Sequence, residues 1–295
     1  MVTGKSTGAD KVFNIIVYTI AFISLIAIMY PLYFVILASF SEPGAVTNGR
    51  VWFWPVGFTL DGYVALFEES GIWIAYANTV FYALAGTLIS LVVNLPAAFA
   101  LSRRNLFGRN TIMFYFVITM FFSGGLIPTF LTVRDFGLLD TRLVMILPFS
   151  VSVFNIIVAR TFFTSSIPEE LWESARLDGC GNAQYFLKIA LPLSKAIIAV
   201  LALWVAVGQW NSFFTAMIYL RSENLQPLQI ILRRILINHE HLIPTVSGEH
   251  MIAALRRANL IRYSSIIVST LPIMLFYPFI QKHFNQGVMI GSVKG

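Results

Sequence analysis

Charged side chains are scarce in this 295-residue chain. The 20 Lys+Arg and 14 Asp+Glu make up 12% of it, about half the share of a soluble domain. So few charges cannot cover the surface of one or two soluble domains, and 57% apolar residues argue equally against a disordered chain. Cysteine is nearly absent. Cys180 stands alone, which excludes an internal disulfide and a four-cysteine zinc site. No internal repeat or low-complexity segment is visible, and the missing inverted repeat lowers the claim of a secondary transporter. The net charge of +6 invites a nucleic-acid reading. In an apolar chain, however, basic residues record membrane orientation first, and no nucleic-acid partner is expected.

What the sequence does hold is long apolar runs. Six approach or exceed the ~20 residues of a spanning helix: Val12 to Phe40, Trp73 to Leu101, Thr111 to Leu131, Leu143 to Phe163, Ile189 to Leu220 and Ser264 to Phe284. The first is far longer than the ~7–15 residues of a signal-peptide core, so it reads as an uncleaved helix. With the N-terminus inside, eleven basic residues fall on the inner side and nine on the outer, and all six lysines are inner. The outer excess sits in the long loop after the fifth run, where the rule binds less. The expectation is an all-α integral membrane protein of six transmembrane helices, multi-pass, with both termini cytoplasmic.

The segment Arg160 to Lys188 is too charged to cross a bilayer. Ser166 with Glu169 forms a capping-box pattern, and Pro168 suits a first helical turn. Pro168, Leu171, Trp172 and Ala175 follow the spacing of one apolar helix face, with Glu169, Glu170, Glu173 and Arg176 on the others. Gly179 and Gly181 break that helix, and a second short one runs from about Asn182. The pattern predicts a bent helical pair on the cytoplasmic face, a docking element or simply a solvated loop helix.

Glu173-Ser174-Ala175, Gly179, Ile189 and Leu191-Pro192 resemble the EAA signature (EAA-x3-G-x9-I-x-LP) of bacterial ABC-importer permeases, with Ser174 the single departure. The resemblance runs from the second apolar run to the tail and is specifically to maltose-type carbohydrate permeases of the type I fold. Gly124–Pro128 and Val133–Thr141 resemble a branch whose members import rhamnogalacturonan or alginate oligosaccharides, and this resemblance implies a second permease subunit of an alginate importer. It further implies docking to the ATPase through Glu173, Ser174, Ala175, Arg176, Leu177, Asp178 and Gly179. Glu173 would be the charged contact, Ser174 and Ala175 would allow close approach, and Gly179 would permit the turn. Gly287, Met289, Ile290 and Gly291 resemble tails that reach between two ATPase subunits. The implied partners are a second permease in a heterodimer, two ATP-binding subunits, an extracytoplasmic solute-binding protein, an oligosaccharide and membrane lipid. The implied place is the bacterial cytoplasmic (inner) membrane. The chain itself would be non-catalytic and without cofactor, with ATP and Mg on the partner subunits. Residues 1–72 would form the first helix and external loop, 73–284 the core permease domain, and 285–295 the cytoplasmic tail.

Weaker signals carry bland alternatives. Gly4-Lys5-Ser6 mimics the end of a phosphate-binding loop but lacks its first glycine, so no nucleotide site is expected. His239-Glu240-His241 with His250 reads as a solvated loop sooner than a metal site. Gln209, Trp210, Asn211, Ser212, Phe214 and Thr215 lie in the fifth run, and Asn78, Asn94 and Asn155 in others. Amides hydrogen-bond sugar hydroxyls and rings cover sugar C–H faces, so Gln209 to Thr215 is the expected substrate path. The same residues also suit helix–helix contacts. An ion-coupled secondary sugar transporter would need an ionisable group deep in a run, and every Asp and Glu lies near an end or in a loop. A membrane-embedded transferase would have only the loop histidines and carboxylates to work with.

Overall fold

The computed structural model describes residues 8–242, 259 and 261–275, without the side chains of 236 and 238–242. The tail residues Gly287, Met289, Ile290 and Gly291, the side chains of His239, Glu240 and His241, and all of His250 lie outside the described residues. The described residues form helices and turns with no strand. They divide into two compact units, one of residues up to 69 with 234–270, the other of 70–233 with 271 onward.

The first unit opens with α1 (Gly8–Ser39), followed by α2 (Pro43–Thr47) and α3 (Asp61–Phe67). α1 is apolar on every face and exposed along nearly its whole length, burying only Leu37, Ala38 and Ser39. A helix of that composition is stable in lipid, not in water. Its end is tied down locally. Ser41 Oγ–H donates to the Leu37 carbonyl at 2.6 Å and accepts from Val56 N–H at 3.2 Å, while Tyr63 O–H donates to Ser39 Oγ at 2.8 Å. The helix Ile261–Leu275 supplies Ser264, whose hydroxyl donates to the Gly62 carbonyl at 2.9 Å.

The second unit is built around α4 (Ile72–Ser102), whose 31 residues span about 46 Å at ~1.5 Å each. α5 (Arg109–Phe121), α6 (Leu126–Asp135), α7 (Val153–Ser166), α8 (Glu169–Leu177) and α9 (Asn182–Tyr185) follow. A π-helical turn at Phe186–Ala190 leads into α10 (Leu191–Leu193), then α11 (Lys195–Trp210) and α12 (Phe213–Tyr219). α13 (Leu228–Leu242) begins in this unit and ends in the first.

Three of the apolar runs are not the straight helices their composition predicts. The third breaks at Phe122–Gly125 and turns by 112° between α5 and α6. The fourth starts with a single 3-10 turn at Arg142–Met145 and an irregular stretch before α7. Pro148 interrupts the helical ladder there, and Asn94 takes up the freed backbone: its Nδ2 donates to the Ser150 carbonyl at 2.8 Å and its Oδ1 accepts from Ser152 N–H at 2.9 Å. The fifth run bends by 82° between α10 and α11, so its long helix starts at Lys195 and not at Ile189. Pro192 cannot donate to the ladder, the preceding turn widens, and buried Ser194 returns its hydroxyl to the Ala190 carbonyl at 2.7 Å.

Two apolar clusters hold the unit together. Near α8, residues Leu95, Phe99, Phe163, Trp172, Tyr185 and Leu201 join α4, α7, α8, α9 and α11. Toward the other end of α4, Tyr82, Val144, Met145, Ala216, Tyr219 and Ile230 form the second.

Candidate functional site

Two features of the second unit bring chemistry-bearing residues together. The first is the charged helix pair. α8 presents Trp172 and Ala175 inward and leaves Glu173, Ser174, Arg176, Asp178 and Gly179 exposed. Leu177, 90% exposed, is an apolar side chain set out in the open beside them. The turn that ends α8 is a left-handed one at Gly179 (φ +79°), with Gly179 N–H on the Arg176 carbonyl at 3.0 Å and Cys180 N–H on the Ala175 carbonyl at 2.9 Å. The expected capping box does not form. α7 runs through Ser166, Pro168 precedes the first residue of α8, and Glu169 turns instead to Arg103, 3.0 Å away. Ala175 faces the core, so of the two small EAA positions only Ser174 lies on the open face.

Arg103 is the residue the sequence reading passed over. It follows directly after α4, and in the sequence it is one of the eleven basic residues on the inner side. Its guanidinium, 12% exposed, lies 4.8 Å from the Trp172 ring centre and 5.7 Å from that of Tyr185. Trp172 and Tyr185 meet edge to face at 5.0 Å. Such stacking adds roughly 0.5–2 kcal/mol to an ion pair whose own ~1.5–3 kcal/mol is reduced by the 41% exposure of Glu169. Burial pushes the Tyr185 phenol up, so it stays protonated. No sequence signal links Arg103 to Glu169, because the two are 66 positions apart.

The second feature is a cavity of about 340 Å³ between α4, α7 and α11. Ser90, Ser152, Asn155, Gln209, Ser212 and Thr215 supply its polar lining, and Phe149 and Trp204 its rings. A neighbouring hollow of about 290 Å³ shares Phe149 and Thr215 and adds Thr129, Phe214 and Tyr219. Neither lining contains a charged side chain. Of the residues read as a path, Gln209, Ser212 and Thr215 line the first hollow, and Phe214 and Thr215 the second. Trp210 is buried with its ring edge-on to Tyr76, and Asn211 is exposed, its amide donating to the Val207 carbonyl at 2.9 Å. The break between α11 and α12 falls at Asn211–Ser212, which explains a polar stretch inside an apolar run. Gln209 donates to the Met145 carbonyl at 3.1 Å and lies against Gly86. The three asparagines divide. Asn78 and Asn94 are buried and bind backbone groups of other segments, while Asn155 lines the cavity.

At the far end of α4, the Val133–Thr141 motif acquires a physical reason. Gly137 (φ +67°) ends α6, and Asp140, also left-handed at φ +55°, accepts the N–H groups of Arg221 and Ser222 at 2.8 Å each as well as the Ser222 hydroxyl. These bonds hold the Asp140 carboxyl below the usual range. A lowered carboxyl pKa contributes stability that is full above the unfolded value near pH 4 and fades as pH falls through the folded one. We expect Asp140→Asn, which keeps one acceptor and tolerates the left-handed turn, to lower the melting temperature of the purified protein less than Asp140→Ala does. The gap between wild type and Asp140→Asn should be constant above about pH 5 and narrow progressively as pH falls below about 4; a gap that does not narrow on acidification would contradict the assignment.

Residues 70–290 match the family described as the binding-protein-dependent transport system inner membrane component. The chain belongs to that family. It is 39% identical over 286 residues to the polygalacturonan/rhamnogalacturonan transport system permease protein YtcP of Bacillus subtilis (strain 168), covering 97% of this chain and 99% of that one. It is 37% identical over 294 residues to the protein LplC of the same organism, covering 99% and 98%. Among solved structures, a bacterial ABC transporter involved in the import of the acidic polysaccharide alginate matches with a TM-score of 0.86 and 34% identity, over 96% of this chain and all of the other. The chain therefore has the type I ABC permease fold, is an inner-membrane transport component, and works with a binding protein and ATPase subunits.

Proposed function

We propose that this permease subunit of an oligosaccharide importer forms half of the path for acidic oligosaccharides. It couples to ATP hydrolysis on partner subunits through the open face of α8, in a heterodimer with a second permease. Both termini are cytoplasmic, so α8 lies on the cytoplasmic side. ATP and Mg belong to the partner subunits, and this chain holds no cofactor of its own. The observation that carries the reading is the pairing, in one compact unit, of a sugar-suited cavity with an exposed charged helix ended by a left-handed glycine turn. The lining hydroxyls and amides hydrogen-bond sugar hydroxyls, and Phe149 and Trp204 suit their C–H faces. The acidic class is supported by the polygalacturonan and alginate systems to which the chain is similar, since the cavity lining itself is uncharged.

Several outer arginines are engaged at close range: Arg134 pairs with Asp135 at 2.9 Å, Arg142 lies 5.5 Å from the Phe81 ring centre, and Arg233 lies 4.4 Å from that of Phe213. The test is the complex purified with its co-expressed neighbours and reconstituted in liposomes. Oligouronates, with the binding protein present, should stimulate ATP hydrolysis several-fold more than neutral oligosaccharides of equal length. Equal stimulation would remove the acidic class. In intact cells, with Cys180→Ala as background, a cysteine at exposed Asn48 should react with an impermeant thiol reagent from outside, and one at exposed Asn105 should not. Outside labelling at Asn105 would reverse the orientation.

A further inference from the structure

Whatever α8 receives from a partner must reach the cavity through contacts within this chain. α4 is the element that touches both places: Ser90 lines the cavity, and Arg103 follows directly after the other end. We infer that Arg103 is the joint through which displacement of α8 is transmitted to α4, and through α4 to the cavity wall. It is a positioning residue for transport, and the inference rests on the proposed coupling role of α8.

Three observations carry it. Arg103 is bound to α8 in two ways, through the ion pair to Glu169 at 3.0 Å and through its face, 4.8 Å from the Trp172 ring centre. A planar guanidinium stacks on the ring while its fork pairs with the carboxylate in fixed geometry, which a compact, strongly hydrated ammonium does less well. Second, α4 is braced where it would otherwise yield. Pro96 removes one ladder bond, but Asn94 ties the helix to Ser150 and Ser152 on one side of that point. On the other, Arg160 Nε–H donates to the Leu101 carbonyl at 3.0 Å. A push at Arg103 therefore arrives at the Asn94 contacts, which shape the backbone around Ser152 on the cavity wall. Third, Arg103 Nε and the Tyr185 hydroxyl are both buried without a hydrogen-bond partner. Unsatisfied buried groups are rare, and two beside one ion pair leave a donor and a hydroxyl free to gain bonds on rearrangement, which suits a two-state joint.

The experiment compares transport with ATP hydrolysis in liposomes holding the full complex. Arg103→Met should co-purify with its ATPase partners and hydrolyse ATP, while substrate moved per ATP falls roughly tenfold, within the usual range of coupling effects. Arg103→Lys should recover part of the ratio, and Glu169→Gln should lower it less. In the double variant the two losses should fall short of additive. A merely structural role would reduce transport and hydrolysis together and leave their ratio unchanged. That result, or a wild-type ratio in Arg103→Met, overturns the inference. If Arg103→Met fails to assemble, the ratio in Arg103→Lys decides by the same criteria. Gly179→Leu separates the two levels: if it also transports normally, the coupling role of α8 itself is wrong. If Gly179→Leu uncouples and Arg103→Met does not, only the Arg103 joint falls.

Discussion

Gly179→Leu should abolish substrate-stimulated ATP hydrolysis and transport while the membrane bundle stays folded. Gly179 sits at φ +79°, where an L-residue costs roughly 1–2 kcal/mol. A Cβ there would meet nothing within 4 Å, so the side chain grows into open space from its first atom. Beyond the backbone cost, the harm comes through the shape of the open face. The left-handed turn sets where α8 ends and α9 begins, and a leucine would project from that turn beside Glu173, Ser174 and Asp178, all exposed. Gly179→Ala isolates the backbone term and should weaken ATPase docking by at most about 5- to 30-fold, from the ~1–2 kcal/mol above. Glu173→Ala removes a carboxylate available for a charge-assisted contact, worth roughly 1.5–3 kcal/mol, and should lie between the two. Co-purification of the ATPase and substrate-stimulated turnover are the readouts. Wild-type stimulation in the Gly179→Leu complex would refute the assignment of α8 as the coupling element.

The helix pair was legible because its signal is local. The i, i+3, i+4, i+7 spacing marks one apolar face, of which the structure buries Trp172 and Ala175 and leaves Pro168 and Leu171 exposed, and Gly179 stops the helix in a left-handed turn. The capping box was misread because Glu169 had a better partner than a backbone N–H, and that partner is 66 residues earlier. Apolar runs announced membrane helices but not their breaks. Composition cannot distinguish a straight span from one that turns by 112° at Phe122–Gly125 or by 82° at Ser194, because the cost of the break depends on which distant group satisfies the freed backbone. Asn94 does this for the Ser150–Ser152 stretch, so a residue weighed as either sugar ligand or interhelical contact proves to be the latter. The cavity was found from one side only. Gln209, Ser212 and Thr215 stood out as polar residues in an apolar run, whereas Ser90 and Ser152 are small residues of a kind common in membrane helices.

Gly86 is the clearest case of a residue whose role no sequence pattern displays. It lies on α4 opposite Gln209, and a Cβ at this position would come within 2.7 Å of Gln209 Nε2 and 2.9 Å of its Cδ. In an isolated helix, glycine to alanine is stabilising by roughly 0.5–1 kcal/mol. Here the methyl group must displace the Gln209 amide, which gives up its bond to the Met145 carbonyl, worth about 0.5–1.5 kcal/mol, and swings into the cavity. The two terms nearly cancel in stability, so Gly86→Ala should fold and assemble as wild type. Transport should not follow, because the displaced amide narrows a hollow of about 340 Å³ and changes the polar groups it offers. We expect oligosaccharide uptake to fall several-fold in Gly86→Ala and to be lost in Gly86→Leu. The double variant Gly86→Ala/Gln209→Ala removes the colliding side chain and should restore uptake above the level of Gly86→Ala alone. Rescue of this kind separates an obstructed path from a weakened bundle, since a second truncation next to a merely destabilised site would make matters worse. Undiminished uptake in Gly86→Leu would show that the cavity beside Gln209 lies off the substrate's route.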